Sequence, residues 1–111
     1  MSKEIKAYYE DIQFSLERIE YHLSAIKSFS EYKTAITVND AVERRLAIIG
    51  EALWKIDGLD KQAPITDKKR IIGLRHILTH DYDIISPEII WKIIENNLPL
   101  LKDEVYKILQ P

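Results

Sequence analysis

The chain has 111 residues, 46% of them apolar and 31% charged. That length suits a single domain over residues 1–111 with one sizeable core, and it excludes two. The net charge is −2 and the pI about 5.9. Binding to nucleic acid through bulk positive charge is therefore excluded, and any such contact must be local or transient. The absence of cysteine rules out disulfide frameworks and cysteine metal sites, and suits a reducing compartment.

Met1 to Glu10 mix charges with tyrosines and contain no apolar core, so no signal peptide is expected. No run approaches the ~18 apolar residues of a membrane span. A cytoplasmic protein with no membrane partner is the expectation.

Residues 4–28 read as the first helix. Ile5, Tyr9, Ile12, Leu16, Ile19, Leu23 and Ile26 recur at alternating steps of four and three, the spacing of a helical apolar stripe. Tyr8, Tyr9 and Tyr21 on this helix read as core or contact residues. Residues 30–39 are polar and β-branched without a period, which predicts a loop. Asp40 is then a candidate N-cap, with Glu43 completing a capping box. Val42, Leu46, Ile49, Leu53 and Ile56 form the second stripe, and Gly58 stands where a left-handed cap would close it. Gly50 inside this helix implies close packing against a neighbour. Trp54 and Trp91 read as core anchors, with base stacking as the alternative.

A loop over 58–66 contains Pro64. Thr66 is a candidate cap for a third helix over 67–79, with Asp67 favouring its positive end. Residues 80–85 break the pattern. Ser86, Pro87 and Glu88 supply a cap, a proline at the first position and an acid in the first turn of a last helix. That helix runs to about Leu109, with Pro99 kinking or dividing it. The result is an all-α antiparallel bundle of four to five helices.

The chemistry is densest from Arg75 to Tyr82. Two of the three histidines, His76 and His80, lie here beside Arg75. Histidine moves protons near neutral pH, and arginine grips a phosphate with a planar fork of donors. A phosphoester-cleaving site needs both. Arg75 and His80 are five residues apart, about 140° round an ideal helix. Either the helix ends before His80, or the site is assembled across a dimer interface. A bland reading is also open, in which the two residues complement a helix C-terminus. So is a metal pair of His76 and His80 with Asp81 or Asp83, although no glutamate sits inside the pair as in H-E-x-x-H. Lys68, Lys69 and Arg70 are either a solvated face or an RNA or nucleotide contact. Glu51 is a candidate supporting carboxylate for Arg75.

Arg75, four residues, His80, one residue, Tyr82 resembles the R-x4-H-x-Y pattern of HepT toxins, a branch of the HEPN superfamily. His76 fits the polar position after the arginine, where asparagine is the more usual residue. Asp40 to Leu46, Ile49-Gly50-Glu51-Ala52, Ile72-Gly73-Leu74, Trp91 and Asn97-Leu98-Pro99 extend the resemblance over nearly the whole chain. It implies a HEPN-like all-α dimer whose two motifs meet in a cleft. It also implies a metal-independent endoribonuclease that spares DNA, the toxin of a type VII-like toxin–antitoxin module. The cognate partner would be a minimal nucleotidyltransferase antitoxin that transfers AMP from ATP onto Tyr82. The toxin itself would need no cofactor and no metal. Arg75 would stabilise charge on the scissile phosphate, His80 would act as general acid or base, and His76 would assist. AMP on Tyr82 would add bulk and negative charge beside Arg75. The alternative is a non-catalytic, nucleotide-binding subunit of a nucleotidyltransferase complex.

Overall fold

A computed structural model describes residues 1–80 and 85–111. The described residues are all-α, as the stripes predict, in six helices: α1 (Lys3–Leu23), α2 (Phe29–Thr34), α3 (Ile36–Leu59), α4 (Lys68–His80), α5 (Pro87–Asn96) and α6 (Leu98–Leu109). None is long and apolar enough to cross a membrane.

The core is built from the predicted stripes. Tyr9, Ile12, Leu16 and Ile19 of α1 meet Val42, Leu46, Ile49, Leu53 and Ile56 of α3, all buried. α4 closes on the other side of α3 through Ile71 and Leu74. Ile90 and Ile93 of α5, with Leu98, Leu101 and Val105 of α6, complete the interior. Full burial of one such side chain is worth about 1.5–3 kcal/mol.

Several local expectations are corrected. α1 stops at Leu23, where the Ser24 hydroxyl donates to the Tyr21 carbonyl at 2.7 Å. Ile26 still packs on the core from the following turn, so the apolar period outlasts the helix. Residues 30–39 are not a loop. They hold α2, capped by the Ser28 hydroxyl, and the first turn of α3. Asp40 therefore lies inside α3 and caps nothing, and α3 begins after Ala35 without a side-chain cap. The Asn39 amide, donating to the Tyr32 carbonyl at 2.7 Å, ties α2 onto α3. Propensity is poor across Ile36, Thr37 and Val38; Ile36 and Thr37 are exposed, and Val38 packs on the core. Gly58 stays inside α3, which ends at Asp60. Among the described residues no glycine has positive φ.

The later signals hold. Ser86 accepts from the Ile89 amide and opens α5 with Pro87 in its first turn. Pro99 divides the last helix, leaving Asn97 at the break. Trp91 packs between Phe29 and Tyr32, with ring centroids 6.2 and 5.4 Å away. Trp54 and Tyr21 are not core residues, being 46% and 70% exposed.

Candidate active site

α4 carries the site, and three contacts fix its place. At its start the Thr66 hydroxyl donates to Glu104 Oε2 of α6 at 2.8 Å, so it does not serve as the expected cap. Asp67 Oδ2 accepts from the Asn97 amide at 2.8 Å, which explains a buried asparagine at the α5–α6 break. Lys68 Nζ sits 3.0 Å from Asp57 Oδ1 and also donates to the Lys61 carbonyl. Asp57 is held below the usual carboxylate range by hydrogen bonds from Lys68 and then Lys61. Lys68 is thus engaged in joining α4 to α3, while Lys69 and Arg70 are exposed.

Close approach comes from Gly50. A Cβ there would lie 3.0 Å from both the Arg75 Cβ and the Ile71 carbonyl oxygen. The glycine lets α4 settle onto α3 at Arg75. Arg75 Nε donates to Glu51 Oε2 at 2.8 Å. Its guanidinium lies 4.1 Å from the centroid of the Trp54 ring. Two neighbours on α3 therefore fix the plane of the guanidinium, one by charge and one by stacking. The Glu51 bond uses Nε, and a guanidinium held there still carries terminal N–H groups able to grip a second oxyanion.

The histidines point another way. α4 is unbroken through His80, so the first of the two sequence alternatives, a helix ending before His80, is removed. Taking Arg75 as the origin, Lys68 and Thr79 lie within about 40° of it, toward α3. Lys69, His76 and His80 cluster about 100–140° away, with Gly73 beside them. All four are exposed. The His76 and His80 rings sit 5.0 Å apart at 46°. Thr79 Oγ1 donates back to the Arg75 carbonyl at 2.6 Å. α4 thus offers an arginine face anchored on α3 and a solvent-exposed histidine face. Tyr82, Asp81 and Asp83 lie outside the described residues, and with them the expected AMP acceptor and the third ligand of a metal reading.

Sequence reasoning missed Asp57, and it did not place Trp54, read there as a core anchor or a base-stacking ring, against Arg75. Trp54 follows Leu53 directly, so it falls about 100° off the Leu46–Ile49–Leu53–Ile56 stripe. That offset was the available signal. Nothing local identifies Asp57 as the partner of Lys68.

α4 thus carries an arginine, a group suited to phosphate, beside two histidines, groups suited to proton transfer. The profile of the family described as "Ribonuclease HepT-like" matches residues 12–108. The chain belongs to this family, and at that level it is a ribonuclease of the HEPN type. It is similar to a Methanocaldococcus jannaschii protein provisionally named an RNase, with 35% identity covering 95% of this chain and 97% of the relative. A Thermococcus cleftensis protein named "Probable ribonuclease HepT" is 30% identical, covering 97% and 98%. A third relative, also from M. jannaschii and named for a gamma-glutamylcyclotransferase as well as an RNase, is 31% identical over 99% of this chain, which spans 50% of its length. No solved structure matches.

Proposed function

We propose that the chain cleaves RNA without a metal ion, at a site where Arg75 of one copy meets His80 of a second. The observation that carries this reading is the unbroken α4, with Arg75 anchored toward α3 and His76 and His80 on the open face. The two groups diverge within one chain, so a shared phosphate calls for a second copy. Gly73 supports close approach by that copy. It lies on the histidine face, and among the described residues nothing stands within 4 Å of where its Cβ would be, so no contact with them requires it.

In this reading the terminal nitrogens of Arg75 bind the non-bridging oxygens and stabilise charge gathering on phosphorus. His80 removes the 2′-hydroxyl proton or gives one to the departing 5′ oxygen, and His76 assists. The 2′-hydroxyl supplies the nucleophile, so DNA is spared. Lys69 and Arg70 are free to contact RNA, and Lys68 holds the fold. The chain acts in the cytoplasm as the toxin of a toxin–antitoxin pair. A minimal nucleotidyltransferase partner consumes ATP to place AMP on Tyr82, two residues from His80, where added bulk and charge close the site.

The test is end-labelled single-stranded RNA incubated in EDTA with wild type, Arg75→Ala and His80→Ala, after mass spectrometry shows Tyr82 free of AMP. Cleavage by wild type alone is expected. Intact RNA in every lane overturns the reading. If Tyr82 is nonetheless modified by the partner with ATP, a non-catalytic subunit of a nucleotidyltransferase complex takes its place.

A further inference from the structure

Trp54 is a large ring left 46% exposed at the edge of the site. Arg75 covers part of it, yet Trp54 also lines a surface groove of about 450 Å³ that Arg75 does not line. Tyr8, Lys55, Glu4, Asp57 and Lys61 share this groove. Asp57 is already matched by Lys61 and Lys68. Lys55 stands over the Tyr8 ring, 5.6 Å from its centroid, opposed only by Glu4 among the groove's remaining charges. Tyr8 and Lys55 also line a second groove of about 320 Å³, which reaches Arg44 and Thr79 and also holds the carboxylates of Asp11 and Glu51, the latter bonded to Arg75. A furrow therefore runs along the exposed side of α3, with aromatic faces at one end and the cations Lys55 and Arg44 spaced along it among the carboxylates of Glu4 and Asp11. Arg44 and Lys55 are about 16 Å apart along the helix at 1.5 Å per residue.

We infer that Trp54 is a stacking platform for the RNA base next to the phosphate held by Arg75, with Lys55 and Arg44 meeting phosphates further along the strand. The inference rests on the ribonuclease reading above. An aromatic face beside a guanidinium, continued by spaced cations, fits a single strand whose bases are splayed from one another. Duplex RNA keeps its bases stacked and fits poorly. Stacking accepts every base, so sequence preference at this position is weak.

The test uses His80→Ala protein, which holds RNA uncut, and two ligands of equal length. One is a single-stranded oligoribonucleotide and the other its abasic ribose-phosphate counterpart. Removing the stacking side chain with Trp54→Leu weakens binding of the oligoribonucleotide about tenfold more than it weakens abasic binding. Trp54→Phe restores most of the affinity, and thermal melts confirm that both variants fold. Unchanged affinity in Trp54→Leu overturns the inference. So does an equal loss for both ligands, which makes Trp54 only a support for Arg75. If no variant binds either ligand, the ribonuclease reading itself falls, and this inference with it.

Discussion

Glu51 and Arg75, 24 positions apart in the chain, are joined by one 2.8 Å bond from Nε to Oε2 that crosses from α4 to α3. The arginine side chain is 29% exposed and the glutamate 46%, so solvent screens the pair and its share of stability is small. Its consequence is orientation. Held at Nε by Glu51 and stacked on Trp54, the guanidinium is fixed in one plane.

Glu51→Ala should therefore lower RNA cleavage about tenfold while costing under about 1 kcal/mol of stability. Steady-state kinetics beside a urea melt separate the two effects. A variant that unfolds, or one that cleaves at the wild-type rate, would show that the contact is structural or idle.

Two glycines in helices should respond in opposite directions to the same change. Gly50→Ala forces a Cβ against the Ile71 carbonyl and Arg75, and should cost about 1–3 kcal/mol as α4 is pushed off α3. Gly73→Ala meets nothing and should add about 1 kcal/mol to the stability of a single copy through helix propensity. Denaturant midpoints for both variants check the pair.

Tyr32 is fully buried, and its hydroxyl has no hydrogen-bond partner among the described residues. Removing an unpaired buried hydroxyl while keeping the ring should stabilise the fold by about 1 kcal/mol. The Tyr32→Phe melt should therefore lie above wild type.

Glu43 has its carboxyl pKa raised, first by burial and then by Asp40. A carboxyl raised in the folded state contributes stability below its unfolded pKa, and that contribution is lost as pH rises through the folded value. Near neutral pH the charged form is thus a burden. Glu43→Gln should raise the melting temperature at pH 7, and the gain should vanish below about pH 4, where glutamate is protonated. A gain that is constant with pH would assign the effect to something other than charge.

The residues most legible in the sequence were those whose signal is local. The stripes from Tyr9 to Ile19 and from Val42 to Ile56 gave the core, and Ser86-Pro87-Glu88 gave the start of α5. Pro99 gave the division before α6, because a missing amide acts wherever it stands. Less legible was anything decided by a distant partner. α3 begins at Ile36 without a cap because Val38 and Asn39 are held by tertiary contacts. Thr66 looked like a cap but bonds Glu104, 38 residues away. The R-x4-H-x-Y pattern marked Arg75 and His80, yet spacing alone left open whether one helix carried both. Continuity of α4 through His80 decided that point. Trp54 reads as core from its aromatic ring, yet its place about 100° off the α3 stripe leaves it 46% exposed.

The most direct test of a site shared between two copies is mixing. Arg75→Ala and His80→Ala proteins, each inactive alone, are unfolded together, refolded at equal amounts and assayed on end-labelled RNA. Random pairing makes half of the dimers mixed, and each mixed dimer holds one intact site of two, so about a quarter of wild-type activity should return. Refolded mixtures that form dimers yet leave RNA intact would contradict the account.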